Sequence, residues 1–465
     1  MQINNLRKQL LSISTLCLCI ACAAPGKWSG QNTKRANIVF ILVDDLGYSD
    51  VGYMGHKAHL NTPNIDKLAE GGKVFTQAYA AAPVCSPTRA SILTGKSPAA
   101  LKITCHIPGL PMDQYFNRQH QGKSIKEAFF RDHLPIEEVT IADELKANGY
   151  ATGFFGKWHL AGAGSARSNS EGVIKAQFHP EYQGFDVNIG GCAYGQPKSW
   201  FAPYKNATIP DQEVGEYLSD RIGDEAANFI KQNETNPFFL YLSTYTVHTP
   251  LEAPQEIIDK NAGNTYHAMI EKLDENVGKV LRQLQLSGLE ENTMVIFYSD
   301  NGGLWGNAPL KSKKGALHEG GIRVPLVINW PAKIKAGQSE VPVTSVDIFP
   351  TILEVAGLTS KKEGLEGLSL WPMLQNKSKL KSRALYWHFP HFRNGGIQDM
   401  GAVIREGDWK LIWDLETDST QLYNLKEDLQ EVNNLSLTHL GKRDDLLLKL
   451  KNWQKEVDAE MPIRN

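Results

Sequence analysis

The sequence has little of what marks several large classes of protein. Its 465 residues include six cysteines, too few for a fold held together by disulfides. Neither sign of charge is in excess, because 49 Lys and Arg stand against 51 Asp and Glu, so no nucleic-acid partner is expected. No internal repeat and no low-complexity tract occurs, and no apolar run is long enough to span a membrane. These absences leave a globular chain, long enough for one large domain and a smaller one.

The N-terminus has the composition of an export signal. Basic residues at positions 7 and 8 precede an apolar run over residues 10–21, shorter than a membrane span. Residues 1–22 are therefore predicted to be a signal peptide, with Cys22 in an imperfect lipoprotein cleavage box; ordinary cleavage one or two residues later is the competing interpretation. Residues 23–35 would form a polar tether. We expect an exported protein, periplasmic or a lipoprotein of the outer membrane of a Gram-negative bacterium, that meets a membrane only through a lipid anchor.

Four apolar segments are each followed by a group of charged or polar side chains. The segments cover residues 37–43, 151–155, 237–242 and 294–298. Continuous apolar runs of this length are typical of strands buried on both faces, and helix-like segments lie between them, at 140–148, 217–232 and 266–287. This alternation predicts an α/β fold with a large, mainly parallel sheet sandwiched by helices. Because open α/β sheets bind ligands beyond the carboxyl ends of their strands, the polar groups should converge on one site.

The pattern changes near the C-terminus. Residues 36–376 are predicted to form the main domain, with a further strand over 322–330 and a helix over 345–356. Residues 377–465 are predicted to form a smaller α+β subdomain, because short β-prone runs (384–389, 402–404 and 409–413) precede apolar residues at helical spacing over 440–457. A disulfide between Cys105 and Cys192 stays open, since no spacing argues for it.

Two polar groups after strands offer oxygen ligands. Asp44 and Asp45 follow the first apolar segment, and Asp300 and Asn301 follow the fourth. Three carboxylates and an amide suit a hard cation such as Ca²⁺, whereas zinc would favour His and Cys. Either pair alone would more simply be explained as turn or cap chemistry. Two pairs, each directly after a buried strand, favour the metal site.

The segment over residues 85–95 predicts an anion site. Pro87 fits the first turn of a helix and Gly95 its end, so Cys85 should sit just before the helix N-terminus, where free N–H groups favour an anion. Arg89, one turn on, should point back towards that end. For a lone cysteine a buried structural role would be favoured. The order Cys-Ser-Pro-Thr-Arg, followed by Leu-Thr-Gly, however, resembles the signature of type I sulfatases, in which this cysteine is oxidised to Cα-formylglycine.

Other motifs of that family occur in the expected order. The run Gly-Lys-Trp-His-Leu with Lys157 and His159 resembles a second sulfatase motif, His248 in His-Thr-Pro a third, and Lys314 directly before Gly315 a fourth. Alternation after a strand would put Lys157 and His159 on one face. Each lysine alone would be taken as a surface charge, and each histidine as a structural residue. Together they imply an alkaline-phosphatase-like fold and one Ca²⁺, with Asp44, Asp45, Cys85, Asp300 and Asn301 as its ligands.

The resemblance also implies a mechanism. Formylglycine at position 85 would be hydrated to a geminal diol, one oxygen of which attacks the sulfur in line and expels the sugar alcohol. His248 would protonate the leaving oxygen while Lys314 binds the sulfate. His159 would deprotonate the second hydroxyl, which eliminates sulfate and restores the aldehyde. Arg89 and Lys157 would hold the diol and balance negative charge. A separate maturation enzyme must act on Cys85.

The resemblance leaves the substrate open. A carbohydrate sulfatase is favoured, acting on sulfated galactose or N-acetylgalactosamine units of a glycan such as a glycosaminoglycan. His106, His388, His391 and Arg393 are candidate sugar contacts, although the segment around His388 reads equally well as a half-buried hairpin. Further candidates come from the aromatic run over 194–204.

Two other functions remain open at this point. The chain could be a phosphodiester or phosphonate hydrolase of the same superfamily, or a non-catalytic glycan-binding lipoprotein. A two-zinc phosphatase is disfavoured, because Asn301 follows Asp300 and Cys85 holds the nucleophile position.

Overall fold

The computed structural model of the chain describes residues 35–57, 60–210, 213–360, 362–392 and 400–464. The predicted signal peptide with Cys22, the tether before Arg35, and Arg393 lie outside the described residues. Arg35–Asn465 forms one compact unit. No helix in the described part of the chain combines the length and the apolar character that crossing a membrane requires.

The regular elements alternate along the chain. The strands are β1 Asn37–Val43, β2 Lys73–Phe75, β3 Ala78–Tyr79, β4 Ile125–Lys126, β5 Ala151–Gly156, β6 Val187–Ile189, β7 Phe238–Ser243, β8 Thr293–Ser299, β9 Leu326–Asn329, β10 Gly337–Ser339, β11 Val343–Thr344, β12 Ala384–Phe389, β13 Gly401–Glu406, β14 Trp409–Asp414, β15 Thr420–Asn424 and β16 Ile463–Arg464. The α-helices are α1 Pro63–Glu70, α2 Cys85–Thr94, α3 Pro98–Leu101, α4 Met112–His120, α5 Ile141–Ala147, α6 Leu218–Gln232, α7 Gln255–Lys260, α8 Thr265–Leu286, α9 Glu319–Ile322, α10 Ile348–Val355, α11 Trp371–Leu374 and α12 Leu440–Glu456.

Eight strands form the main sheet, in the order β10-β2-β9-β8-β1-β7-β5-β6. The four strands predicted from apolar runs are neighbours at its centre: β1 pairs in parallel with β7 and β8, and β5 pairs in parallel with β7. β9 runs antiparallel to both β8 and β2, so the sheet is mixed but mostly parallel. The predicted large, mainly parallel sheet is confirmed.

Each face of the main sheet carries its own apolar core. Within β1, Phe40 packs with residues of α2, α5 and α10, whereas the adjacent Ile41 packs with residues of α1, α6 and α8. All seven residues of β1 are buried, which explains why its sequence reads as an unbroken apolar run. Helices on both faces thus hold the central strands and fix where their carboxyl ends lie.

The C-terminal part forms the predicted antiparallel sheet with a terminal helix. Strands β12 to β15 pair in sequence order, and α12 packs on one face through Leu446 and Leu450. The opposite face carries Trp387 and packs against the main domain around Tyr79. The sequence predicted β12, β13, β14 and α12 but missed β15.

A buried charge cluster joins the small sheet to the main domain. Lys410 of β14 has no exposed side-chain surface, and its Nζ lies 2.9 Å from a carboxylate oxygen of Glu319 and 2.9 Å from one of Glu431. Glu319 also accepts a hydrogen bond from Tyr79. A buried ammonium between two carboxylates is costly to desolvate, so each member depends on the others.

One local prediction needs correction, and one question that the sequence left open is answered. The strand expected over 322–330 begins only at Leu326, because Ile322 ends the short helix α9 and Pro325 precedes the strand. Cys105 and Cys192 are both buried thiols and are not joined by a disulfide. Sγ of Cys105 instead lies 3.5 Å from the hydroxyl of Tyr115.

Candidate active site

The polar groups that follow the central strands meet at one edge of the main sheet. Asp44 and Asp45 follow β1, Asp300 and Asn301 follow β8, and Lys157 follows β5. Since β8, β1, β7 and β5 are adjacent and run in the same direction, their carboxyl ends deliver these side chains to one place. The convergence predicted from sequence is therefore found in the structure.

Two buried lysines neutralise the Asp-Asp pair. Nζ of Lys157 lies 2.6 Å from Oδ2 of Asp44, and Nζ of Lys314 lies 2.7 Å from Oδ2 of Asp45. Asn301 donates from Nδ2 to Oδ1 of Asp45 at 2.8 Å. Burial raises the pKa of Asp45, but the ammonium of Lys314 and its other charged neighbours outweigh burial and hold it well below its usual range. Asp45 is thus anionic at neutral pH.

Arg89 connects three of the strand ends. Its Nε donates to Oδ2 of Asp300 at 2.9 Å, and its Nη1 donates to the Lys157 carbonyl at 2.8 Å and to Oγ of Ser243 at 2.6 Å. The side chain is almost completely buried. Burial of Asp300, together with the negative charge of Asp44, still raises the pKa of Asp300 to about 6 despite Arg89. Burial is the larger cause of this shift, because three cations face the three carboxylates of the cluster.

Cys85 is the first residue of α2 rather than the residue before it. All ten residues of α2 are buried, and Gly95 ends the helix at φ 70°, a left-handed conformation that glycine adopts without strain. Sγ of Cys85 lies 3.8 Å from Nζ of Lys314. Burial raises the pKa of the Cys85 thiol, although Lys157 and Lys314 favour the thiolate. The cysteine thus lies where a helix N-terminus and an ammonium both favour negative charge.

The two candidate histidines are held in defined tautomers. Nε2 of His159 lies 2.8 Å from the carbonyl of Ile107, so Nε2 carries the proton and Nδ1 is a buried nitrogen that bonds to no described residue. Nδ1 of His248 donates to the carbonyl of Thr249, which leaves Nε2 3.7 Å from Oδ2 of Asp45. Burial, reinforced by Lys157, lowers the pKa of His159 well below its usual value, and burial with Lys314 lowers that of His248 to about 3.

The sequence suggested that strand alternation would place Lys157 and His159 on one face, but His159 lies beyond the end of the strand. Strand β5 ends at Gly156, and His159 adopts φ 59°, which a residue with a side chain rarely does. Asp45 adopts a similar conformation, φ 61°. Strained backbone at two residues of one polar cluster is typical of functional sites. Lys157 stays buried against Asp44, whereas His159 lines the cavity described below.

The donor set fits a hard divalent cation. Asp44, Asp45, Asp300 and Asn301 supply oxygen atoms, and Oδ1 of Asp44 and Oδ1 of Asn301 are buried without a hydrogen bond to any described residue. Ligand atoms of Asp44, Asp300 and Cys85 all lie within 4.8 Å of one another. Buried acceptors left without donors are what a cation such as Ca²⁺ would satisfy.

A cavity of about 560 Å³ opens above this cluster. Cys85, Lys314, His159 and His248 form part of its wall, so the groups predicted to react and the space for a ligand coincide. Its outer wall includes His106, one of the candidate sugar contacts named from the sequence. Beyond these, the wall contains aromatic side chains and long polar ones: Tyr115, Tyr194, Phe389, Phe392, Arg118, Gln119, Gln196 and Lys198.

His388 and His391 are corrections to the sequence prediction, because neither reaches the cavity. His388 is buried where β12 packs against α12. Its Nε2 donates to the carbonyl of Glu460 and its Nδ1 accepts from Gln454. Burial lowers the pKa of His388 to about 4. His391 has no exposed surface, and its Nε2 lies 2.8 Å from Oγ1 of Thr104. Strand alternation instead turns the neighbouring Phe389 to the cavity.

Among the wall residues that the sequence did not reveal, three bear on the argument below. Arg118 lies in the last turn of α4, and Lys198 lies within the run that was selected only for its aromatic residues. Neither belongs to a motif, so only their position along the folded chain reveals them. Gly195 was missed as well: a Cβ built on it would lie 2.5 Å from Cε1 and Nε2 of His159. Its missing side chain is what lets the imidazole ring lie there.

Comparisons with known proteins point to one family. The family description "Sulfatase" matches residues 36–358, and "N-sulphoglucosamine sulphohydrolase, C-terminal" matches residues 312–458. A sulfatase of Formosa agariphila is 30% identical over 90% of this chain and 88% of its own length. The N-acetylgalactosamine-6-sulfatase of Canis lupus familiaris is 30% identical over 80% of this chain and 72% of its own.

Among solved structures, Ps i-CgsB in complex with k-i-k-neocarrahexaose superposes with a TM-score of 0.76 at 29% identity, covering 90% of this chain and 93% of that one. The fold expected from the sequence motifs, an alkaline-phosphatase-like sheet sandwiched by helices, is thereby confirmed. With a family match over most of its length and the motif residues gathered at one cavity, the chain belongs to the sulfatase family and is a sulfuric ester hydrolase.

Proposed function

We propose that this sulfatase removes a sulfate ester from a carbohydrate, using formylglycine formed from Cys85 and one Ca²⁺. The observation that carries the proposal is the position of Cys85, at the start of a buried helix, at the wall of the cavity and beside Lys314. The sugar is expected to be a sulfated galactose or N-acetylgalactosamine unit. Support comes from relatives: one is named for N-acetylgalactosamine 6-sulfate, and one solved relative holds an oligosaccharide.

A bound Ca²⁺ and the modified residue at position 85 complete this chemistry. Asp44, Asp45, Asp300 and Asn301 would hold the Ca²⁺, which favours an anionic oxygen at position 85 and neutralises charge on the sulfate. Formylglycine at position 85 supplies the hydroxyl that acts as nucleophile, which a thiol would not.

The cations around Cys85 stabilise negative charge. Arg89 and Lys157 are buried and each binds a carboxylate of the cluster, so they fix the ligands and offset the charge that accumulates at position 85. Lys314 differs from them, because it lies at the cavity wall and approaches both Asp45 and Cys85. We assign Lys314 to the sulfate oxygens.

The histidines divide the proton transfers. His248 is fixed through Nδ1, whose proton is held by the Thr249 carbonyl, and its Nε2 lies on the side of Asp45. Nε2 therefore acts as the acid only in the imidazolium form, which the negative charges of Asp45 and of a bound sulfate favour, and from that form it gives its proton to the leaving alcohol oxygen. His159 is fixed through Nε2, and its unpartnered Nδ1 is the nitrogen that can accept a proton. This division matches the roles that the family motifs imply.

The first test is mass spectrometry of the peptide that contains Cys85, from protein coexpressed with a maturation enzyme. Conversion to formylglycine lowers the mass by about 18 Da relative to the thiol. The converted protein is then screened for sulfate release from sulfated mono- and disaccharides, with a phosphate diester and a phosphonate ester in parallel. A Cys85→Ala variant is the control.

The outcomes separate the candidate functions. Sulfate release by converted protein, absent in Cys85→Ala, supports the proposal. Faster turnover of the phosphorus esters would support the alternative hydrolase, and binding of glycan without release would support the non-catalytic lipoprotein. A thiol that stays unmodified beside an active maturation enzyme would contradict the formylglycine mechanism.

We also propose that the chain is exported and lipid-anchored at Cys22. The support is the leader sequence alone: basic residues, an apolar run and Cys22. Metabolic labelling with a radioactive fatty acid should label the wild-type protein and not Cys22→Ser. Equal labelling, or secretion of both as unlabelled protein, would contradict the anchor.

A further inference from the structure

The cavity wall differs in charge from the chain as a whole. The chain carries slightly more acidic than basic residues, but none of the described residues that line the cavity is Asp or Glu. The charged side chains of that wall are Arg118, Lys198 and Lys314, and three histidines accompany them. The acidic residues of the site lie beneath the cavity, bound to Arg89, Lys157 and Lys314.

Arg118 and Lys198 are separate from the groups that act on the sulfate. Lys314 is buried and paired with Asp45, whereas Arg118 and Lys198 are exposed, and no described carboxylate forms an ion pair with either. Nζ of Lys198 lies 3.3 Å from the carbonyl of Ala166 and 5.3 Å from the ring centroid of Tyr194. These contacts orient the ammonium without neutralising it.

The segments that carry these two cations are connected. Ala166, which receives the hydrogen bond from Lys198, is itself bonded to the carbonyl of Gly109 on the approach to α4. Arg167 donates to Gln114 of α4, one turn before Arg118. The outer wall is thus one assembled surface, and its two free cations belong to the same side of the cavity.

This wall suits an anionic ligand better than a neutral one. A sugar hydroxyl both donates and accepts hydrogen bonds, and carboxylates are good partners for it, yet the described wall offers none. Arg and Lys donate only, and a guanidinium matches the paired oxygens of a sulfate or carboxylate. Two exposed cations on one side of the cavity, with no described carboxylate paired to either, remain available to an anionic ligand.

We propose that the substrate carries a second anionic group besides the sulfate that is cleaved, and that Arg118 and Lys198 bind it. The substrate class is therefore a polyanionic glycan, with a sulfate or a carboxylate on the same sugar or on its neighbour. This inference rests on the proposed function, because it takes the cavity to hold a carbohydrate with its scissile sulfate at Lys314. Arg118 and Lys198 are specificity-determining residues and take no part in the bond cleavage.

The test compares three substrates built on the sugar that releases sulfate fastest in the screen above. The first carries only the scissile sulfate, the second carries an additional sulfate, and the third is the monosulfated sugar linked to a uronic acid. Converted wild-type enzyme is compared with Arg118→Gln, Lys198→Gln and the double variant. Arg282→Gln is the matched control, since Arg282 is an exposed cation of α8 that does not line the cavity.

Wild-type kcat/KM should be higher for one doubly charged substrate than for the monosulfate. Each variant should reduce that preference about ten- to a hundred-fold, mainly through KM, because a charged hydrogen-bonded contact made in both ground and transition states has an effect of this size. Added salt should weaken the preference in the wild type. Preference for the disulfate or the uronide identifies the anion, and Arg282→Gln should keep it.

Two results would overturn the inference. In one, wild-type enzyme treats all three substrates alike or prefers the monosulfate. In the other, the variants slow all three substrates equally, which indicates a structural role. Absence of sulfate release from every saccharide is distinguishable from both, because it contradicts the proposed function itself and removes the basis of this inference.

Discussion

Replacing Gly195 by alanine should displace the imidazole ring of His159 and so impair its function, although His159 itself is unchanged. The added Cβ would lie 2.5 Å from Cε1 and from Nε2 of the imidazole, whereas ordinary contacts begin at 3.4 Å. The backbone of Gly195 needs no left-handed conformation, so the clash alone determines the effect. Either the imidazole ring of His159 or the backbone around residue 195 has to move by about 1 Å. A misplacement of this size can lower the rate of an enzyme about a hundred-fold.

The same displacement should cost stability. Moving the ring lengthens the hydrogen bond from Nε2 to the carbonyl of Ile107, now 2.8 Å, and a buried group that loses its partner costs about 1–3 kcal/mol. Crowding of a packed site adds a cost of similar size. We therefore expect kcat to fall about a hundred-fold and the free energy of unfolding to fall by about 2–4 kcal/mol.

The assay measures sulfate release and denaturant unfolding for Gly195→Ala, His159→Ala and the double variant. Removing the imidazole removes the clash, so the double variant should match His159→Ala in kcat. Gly441→Ala is the control: no heavy atom lies within 4 Å of its new Cβ, and in α12 it should raise stability by up to about 1 kcal/mol with kcat unchanged. Normal kcat in Gly195→Ala, or an equal loss in both backgrounds, would refute the reasoning.

Three further predictions concern the metal, the domain junction and pH. Ca²⁺ at a hundred times its Kd should stabilise the converted enzyme by about 2.7 kcal/mol, and EGTA should abolish sulfate release; a melting temperature indifferent to both would contradict the metal site. Lys410→Met should lower the free energy of unfolding by about 3–5 kcal/mol, because it removes the cation between two buried carboxylates; Glu319 keeps Arg323, but Glu431 loses the cation it is paired with. A loss below about 1 kcal/mol in urea titration would contradict this. Burial raises the pKa of Asp132, but hydrogen bonds from its neighbours, Lys175 among them, outweigh burial and hold it well below its usual value. A depressed carboxylate stabilises the fold above its unfolded pKa, so Asp132→Asn should be less stable than wild type at pH 7, with the difference shrinking as the pH falls below about 4; a pH-independent difference would contradict it.

The central fold could be predicted from the sequence because its strands are buried on both faces. The boundaries of β1 were predicted to the residue, since the apolar run ends abruptly at Asp44. β15, with the sequence Thr-Gln-Leu-Tyr-Asn, was missed because only its middle residues are buried and its ends are polar. β2 and β10 have three residues each, too few to show a period.

The polar cluster at the strand ends could be predicted in the same way, and the outer wall of the cavity could not. Each cluster residue directly follows a recognisable strand or stands in a motif. The wall instead depends on which of two alternating residues faces inward: Phe389 faces the cavity and His388 faces α12. Residues 387–389 all have ring side chains, so their composition does not indicate which of them faces the cavity.

The burial of α2 bears on when Cys85 can be modified relative to folding. Every residue from Cys85 to Thr94 is buried, and helices and strands of the main domain surround them. A small ester can reach position 85 through the cavity, but the active site of another enzyme, which must grip the flanking residues, cannot. The proposed oxidation of Cys85 therefore has to precede folding, while the segment is still extended. Protein that folds with the thiol still present would no longer be accessible to the maturation enzyme. The yield of active enzyme would therefore depend on the rate of maturation relative to the rate of folding.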